Sequence, residues 1–348
     1  MSANSITQYF KPRPKPEGTA KKSRASLPYS RSPPPASESD SASHNDATES
    51  SPTPKKQINP RTMRKEIADD TLAAIKAGRY SLDGLTYSLQ DAVKISKQGT
   101  CYYPPDSDLA NWEYTSPPAN DGTRAEVILA EISTLEGARL LRSQTNARIG
   151  VLNFASAKKP GGGFLSGASA QEESIARSST LYPTLRTADS TKFYTLHNKD
   201  DAGSYYSHAM IYSPSILVFR ADDGQWLPPY EIDVLTSAAV NAGAVRDKDK
   251  RHPHHELEAD IAMAMRERMA RLLYLFEREG VRNLVLGSFG TGVFKNDVKV
   301  VAGLWVDLML DQGSRFGNSF DRVVFAILGN GTFMDFHTVF SARKVVGF

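Results

Sequence analysis

The chain has 348 residues, enough for one large domain or two modest ones, and 40% of them are hydrophobic, enough for a substantial core. Its formal net charge is +3, but residues 1–60 hold nine Lys/Arg against five Asp/Glu, which leaves the rest of the chain at about −1 and unlike a binder of duplex DNA. No apolar run reaches the ~18 residues of a membrane helix, and the N-terminus MSANSITQYFKPRPKPEG lacks the apolar core of a secretion signal. The single cysteine, Cys101, cannot close a disulfide within the chain, so a reducing compartment is expected. It lies in GTCYYPPDSD with no histidine nearby in sequence, and reads as structural rather than nucleophilic.

Residues 1–60 carry ten of the twenty prolines and few large apolar side chains. Such a segment buries too little surface to offset its ordering entropy, so a disordered tail is expected. Within it, SITQYF places Ile6 three positions before the pair Tyr9 and Phe10. This resembles the sliding-clamp interaction motif of replication and repair proteins, with Ala3 where the leading glutamine usually stands; a stray aromatic pair is the alternative. The basic cluster Lys21–Arg24 is a weak nuclear-targeting signal, and Ser51 and Thr53 in SPTPKK are weak candidates for phosphorylation. The tail leads to the expectation of a nuclear protein acting in DNA-damage signalling.

From residue 61 the pattern changes. RTMRKEIADDTLAAIKAGRY spaces Met63, Ile67, Leu72 and Ile75 as in a helix, with Gly78 as its stop. YSLDGLTYSLQDAVK predicts a strand or hairpin. AEVILAEIS predicts a buried strand, TLEGARLLRSQ a helix, and RIGVLNFAS a strand ending at glycines. HAMIYSPSILVFRA predicts two short strands, and EIDVLTSAAV one more. HHELEADIAMAMRERMARLLYLFEREG predicts a long amphipathic helix stopped at Gly280, whose stripe Met263, Met265, Met269, Leu272, Leu273, Phe276 reads as core. VRNLVLGSFGTGVFKND is a strand and a glycine-rich loop, DVKVVAGLWVDLML a helix, and DRVVFAILGN a strand. Strands alternating with helices predict one α/β domain with its sheet covered on both faces.

Ligands of such folds gather where strands hand over to helices. Two loops fit. One follows VLNFA and contains Gly161, Gly162, Gly163 and Gly167; the other follows LVLG and contains Gly287, Gly290 and Gly292. Glycine lets backbone N–H groups approach a ligand, and several aimed together bind phosphate oxygens. Neither loop is a Walker A sequence or a GxGxxG fingerprint. Two of them, each after an apolar strand, point to a diphosphate gripped from both sides. After the first come Gln171, Glu172 and Glu173. Ser169 and Glu172 have the spacing of a capping box, which accounts for one glutamate well and the second poorly. Beside a bound diphosphate, one of two adjacent, partly desolvated carboxyls can hold a proton near neutral pH, give it to a departing sugar oxygen, and then activate water. A nucleoside diphosphate sugar suits this layout.

The stretch LNFASAKKPGGGFLSGASAQEESIARSSTLY resembles the signature of microbial-type poly(ADP-ribose) glycohydrolases: GGG, a short spacer, then QEE. The helix at 64–80, YSPSILVFR, TSAAVNAGAV and LVLGSFGTGVFKND resemble further blocks of that family in the same order, over roughly residues 61–345. The resemblance implies a macrodomain-like, three-layer α/β/α fold with a mixed central sheet and an N-terminal helical extension, occupying 61–348. It implies hydrolysis of the ribose–ribose O-glycosidic bonds of poly(ADP-ribose), mainly from chain ends, with no metal or organic cofactor, acting on the polymer and on ADP-ribosylated proteins. By position, Glu173 would be the general acid and base, and Glu172 would bind ribose hydroxyls and set the charge of its neighbour. Gln171 would hold the acidic turn, Gly161, Gly162 and Gly163 would accommodate the diphosphate, and Asn153 would contact the distal ribose. Gly290, Thr291, Gly292 and Val293 would form the second diphosphate turn, and Phe294 would pack over the ribose. Many relatives are expected to carry cysteine where Thr291 stands, a change of little weight if the contacts are main-chain.

Two other readings share these residues: an enzyme removing single ADP-ribose groups from protein or nucleic acid, and a non-catalytic ADP-ribose reader, which would not need the paired acids. RHPHHE holds three histidines and an acid, but reads as a solvated loop rather than a metal site. Trp226 reads as an edge-packing residue, while Tyr205, Tyr206 and His208 could reach an adenine or simply pack.

Overall fold

The computed structural model describes residues 59–116, 123–199, 201–250 and 252–343. Ile6, Tyr9, Phe10, the Lys21–Arg24 cluster and the Ser51 and Thr53 candidates lie outside the described residues.

Helix α1 (Pro60–Ala77) starts one residue before the predicted position. Asn59 caps it by accepting the Arg61 N–H at 2.9 Å, and Pro60 takes the first turn, where its missing N–H costs nothing. Strands β1 (Arg79–Leu82) and β2 (Leu85–Ser88) form an antiparallel hairpin around Asp83-Gly84, both at positive φ, as a two-residue hairpin turn requires. Helix α2 (Gln90–Gly99), β3 (Cys101–Tyr103), β4 (Glu126–Ala130), α3 (Thr134–Gln144) and β5 (Ile149–Phe154) follow. Next come three helices, α4 (Gln171–Ser178), α5 (Leu181–Thr184) and α6 (Ala188–Lys199), and two long strands, β6 (Met210–Arg220) and β7 (Trp226–Ser237). The chain ends with α7 (Ala242–Lys248), α8 (His254–Arg278), β8 (Asn283–Leu286), α9 (Val298–Trp305), β9 (Arg322–Ala326) and α10 (Asn330–Ala342).

Among the described residues the main sheet has seven strands in the order β3-β6-β7-β5-β8-β9-β4. The run from β7 to β4 is parallel, while β6 is antiparallel to both β3 and β7, so the sheet is mixed. Alternating strand residues feed two cores. Leu152, Leu284, Leu286 and Phe325 pack with Met265, Leu272 and Phe276 of α8, Trp305 of α9 and Phe340 of α10. On the other face, Val151, Val285 and Val324 pack with Leu135 and Leu141 of α3, Ile175 of α4 and Phe193 of α6. These are the three layers expected of the fold.

Several elements depart from the sequence reading. HAMIYSPSILVFRA is one strand, not two: the sheet runs through Pro214 by a bulge at Ser215 (φ 52°), whose N–H donates to Asp233 Oδ1 at 2.9 Å. The strand in AEVILAEIS is an edge strand, paired with β9 alone, and Leu129 is its one fully buried residue. Met263 leaves the predicted core stripe and is 65% exposed, because the buried arc of α8 turns past it. Cys101 is exposed on the edge strand β3.

The topology decides where ligands can meet the chain. β5 and β8 are parallel neighbours, with Val151 opposite Val285. The loops that leave their carboxyl ends therefore emerge side by side, and these are the two glycine-rich loops.

Candidate active site

Gln171, the first residue of α4, ties the helix to β5. Its Oε1 accepts the Phe154 N–H at 2.8 Å, and its Nε2 donates to the Leu152 carbonyl at 2.7 Å and to Thr134 Oγ1 at 3.2 Å. The helix N-terminus, with its partial positive charge, is thereby held over the strand end. Glu172 and Glu173 then turn back into the loop. Glu172 Oε2 accepts the Ser156 N–H at 2.7 Å, and Glu173 Oε1 accepts the Gly163 N–H at 2.7 Å. Both residues are buried, 2% and 7% exposed. Each keeps one buried carboxyl oxygen without a hydrogen-bond partner among the described residues, Glu172 Oε1 and Glu173 Oε2.

The capping-box reading of Ser169 and Glu172 does not hold. Ala170 is the N-cap and provides no side-chain bond, while Glu172 is spent on Ser156 instead. A true capping box occurs at α3, where Ser133 Oγ accepts the Glu136 N–H at 3.0 Å and Glu136 accepts the Ser133 N–H at 2.8 Å. The same spacing serves capping in one helix and the loop in the other.

Gly162 accounts for the glycines. Its φ is 57°, and a Cβ there would lie 2.5 Å from Glu173 Oε1 and 2.9 Å from Glu172 Oε2. The carboxylates occupy the volume a side chain would need, so the three glycines and the two acids form a single device. Burial drives the Glu172 carboxyl up to about 8, and the charge of Glu173 adds to the rise, against the pull of the Ser156 N–H and of Asn153 and Gly161. Asn153, at the end of β5, donates from Nδ2 to Thr236 Oγ1 at 3.2 Å and keeps its Oδ1 buried and unpartnered among the described residues.

The second loop is held by a residue that the sequence reading passed over. Asn296 donates from Nδ2 to the carbonyls of Val240 at 2.8 Å and Gly290 at 2.9 Å, folding the loop onto the end of β7. Gly290 is required there: its φ is 76°, and a Cβ would meet Ala239 Cβ at 2.4 Å. Thr291 is tethered to the Ser288 carbonyl through both its N–H (3.2 Å) and its hydroxyl (3.0 Å). The N–H groups of Gly292, Val293 and Phe294 have no acceptor among the described residues, and Val293 is 82% exposed. Phe294 packs beside Tyr206, with ring centroids 5.9 Å apart, so Tyr206 comes to the site. His208 is partly buried, and burial together with Arg268 and Arg271 drives it down to about 3. Tyr194 of α6 was also missed. Its ring is buried, its hydroxyl has no partner among the described residues, and burial together with the Glu172 charge drives it well above the usual tyrosine range. Neither Asn296 nor Tyr194 carries a sequence signal, since each reaches the site only through tertiary packing.

Helix α1 backs the first loop. Arg61 and Arg64 donate from Nε to the carbonyls of Ser166 and Gly167, each at 2.8 Å, and Phe164 packs with Ala68 and Ala176. Other candidates stand elsewhere. His252 is engaged with Asp249 at 2.6 Å and His254 lies 3.6 Å from Glu258, and no metal-holding cluster of His, Cys, Asp and Glu occurs among the described residues. Trp226 packs under Arg220, 3.4 Å from its guanidinium, and against Tyr80.

The family model described as microbial-type PARG, catalytic domain, matches residues 68–221, which include the first loop and both glutamates. The crystal structure of poly(ADP-ribose) glycohydrolase from Thermomonospora curvata is 38% identical, with a TM-score of 0.73 over 81% of this chain and 100% of that one. The same enzyme bound to the inhibitor ADP-HPD is 39% identical, with a TM-score of 0.71 over 81% and 100%. The poly(ADP-ribose) glycohydrolase from Deinococcus radiodurans in complex with ADP-ribose is 33% identical, with a TM-score of 0.63 over 76% and 99%. A search of curated proteins returned no match. On this likeness in sequence and structure, the chain belongs to the microbial-type poly(ADP-ribose) glycohydrolase family.

Proposed function

We propose that the protein hydrolyses the ribose–ribose O-glycosidic bonds of poly(ADP-ribose), mainly from chain ends, and releases ADP-ribose. The observation that carries this reading is the pair of buried carboxyls, each pinned by one loop amide and each with one oxygen left over. The unengaged amides of Gly292, Val293 and Phe294 are suited to the diphosphate, whereas in the first loop the Gly162 and Gly163 amides are spent on the Lys159 carbonyl and on Glu173, so that loop offers the ligand space rather than donors. Burial, the charge of Glu173 beside it and the resulting rise to about 8 keep the Glu172 carboxyl protonated near neutral pH. Proton transfer to the departing oxygen needs a second carboxyl within reach of the sugar. We assign the role of proton donor and acceptor to Glu173, the more exposed of the two. The anomeric C–O bond breaks, its electron pair leaves with the neighbouring ribose oxygen, and the carboxyl proton goes to that oxygen. The carboxylate then takes a proton from water, whose oxygen bonds the anomeric carbon. Diphosphate charge favours the oxocarbenium character in between. Glu172 Oε1 and Asn153 Oδ1 are free to accept from ribose hydroxyls. The intact acid pair speaks against a non-catalytic reader.

Substitution of Glu173 by Gln should retain the fold and ADP-ribose binding and reduce turnover of labelled polymer by about 10²–10⁴-fold. Near-normal turnover would remove the assignment. Parallel assays on a mono-ADP-ribosylated protein separate the polymer reading from a mono-ADP-ribosyl hydrolase.

The reading extends to the tail. Ile6, Tyr9 and Phe10 fit a short plug for the replication sliding clamp, and Lys21–Arg24 fits nuclear import, so the protein is placed by proposal in the nucleus, in the response to DNA damage. A pull-down in which a Tyr9/Phe10 double alanine variant keeps its sliding-clamp binding would end that idea.

A further inference from the structure

We infer that α6 carries a distal subsite for the polymer chain, an aromatic and basic groove that holds units beyond the two that flank the cleaved bond; this rests on the polymer-hydrolase reading above. The helix has two faces. Inward, Tyr194 lies within electrostatic reach of Glu172, and Asn198 donates from Nδ2 to the Lys158 carbonyl of the glycine-loop segment at 3.1 Å. Outward, Lys192, Thr195 and Lys199 share a face and line a shallow groove of about 340 Å³ with Tyr102 of β3 and Leu196. The one helix thus touches the catalytic loop and walls the groove.

The chemistry of the groove is that of a nucleotide. Tyr102, with Asp106 within electrostatic reach of it, and Leu196 provide an apolar seat for a base, and the two lysines stand seven residues apart, roughly 10 Å along the helix. Lys192 is paired with Asp189 at 2.7 Å, but both are more than half exposed, and such a pair is weak enough to exchange its carboxylate for a phosphate. Cations continue towards the site. Arg186 is exposed beside Tyr182, which abuts Gly161, and Lys159 is exposed in the loop itself. Residues 61–348 together carry about one net negative charge, so this clustering on one side is a local feature rather than a share of a basic surface. A polyanion with a base in every repeat matches it.

The test compares wild type with a Lys192→Gln/Lys199→Gln double variant on long poly(ADP-ribose) and on a two-unit substrate, over a range of salt. Both lysines are exposed and make no bond to the core, and thermal midpoints check that the variant folds. The variant should raise KM for long chains about tenfold, and lower the slope of log KM against log salt by about 1.4, two phosphates at ~0.7 each for a flexible strand. Turnover number and the two-unit KM should not change. An unchanged KM on long chains, or an equal rise on the two-unit substrate, would overturn the inference. So would displacement of long polymer from the Glu173→Gln protein by poly(A) RNA of matched charge at equal concentration. Failure of wild type to cleave polymer at all would instead overturn the parent reading.

Discussion

At the scale of residues, the site is a contest for one small volume. The carboxyl oxygens of Glu172 and Glu173 lie where a Gly162 side chain would begin, so no other residue fits without moving an acid. Substituting Ala for Gly162 should therefore cost activity far more than stability. Positive φ costs an alanine about 1–2 kcal/mol, whereas displacing the acids should lower kcat by roughly 10²-fold or more. Steady-state kinetics beside calorimetry would check the split. Glu172 also has a pH signature. Its folded carboxyl keeps its proton up to about 8, well above the ordinary value of 4.5, so between those values the folded form binds more protons than the unfolded one. Stability from this group is therefore present in acid and is lost as pH rises towards 8. Thermal midpoints of wild type should fall across that range relative to a Glu172→Gln variant, which has no charge to bury. Parallel profiles for the two proteins would contradict the assignment.

At the scale of elements, α1 is more than an extension. It lies behind the glycine loop, and its Arg61 and Arg64 hold the carbonyls of Ser166 and Gly167 while Thr71 donates to the Arg177 carbonyl at 2.6 Å. Removing both arginines should cost about 1–3 kcal/mol, at about 0.5–1.5 for each of two hydrogen bonds that are exposed or only partly buried. Polymer turnover should fall more than tenfold, because the loop that seats Glu173 loses its backing. Kinetics and thermal melts of an Arg61→Ala/Arg64→Ala variant test this; full activity would mean that the loop holds itself. Most elements were legible as elements. α3, β5 and the long helix α8 follow their periodicity and their stop signals closely. The misreadings have a common cause. Pro214 made β6 look like two strands because a bulge is a property of the pair, not of one strand, and the edge position of β4 depends on which strand lies beside it.

At the scale of the whole molecule, the described elements build two main cores on the two faces of one seven-stranded sheet. A truncated protein starting at residue 59 should keep its thermal midpoint and, within about twofold, its kcat on a two-unit substrate, as expected of a Pro- and Ser-rich segment with too few large apolar residues to contribute to a core. It should lose any sliding-clamp binding. Melting curves, a chain-end assay and the pull-down would check the three outcomes together.

The sequence by itself determined the chemistry: two glycine loops after apolar strands, a glutamine and two glutamates at a helix start, and an order of blocks that resembles one family. These are local facts, carried by neighbouring residues and by short-range periodicity, and they survive reading in one dimension. Only the tertiary structure decided that the loops are adjacent, because that follows from β5 and β8 pairing in parallel across more than a hundred residues of chain. It also decided that Glu172 bonds to Ser156 rather than capping its own helix, and it brought Asn296, Tyr194 and α1 to the site. Burial, close approach and the raised Glu172 carboxyl are properties of three-dimensional proximity, and the order of residues along the chain does not contain them.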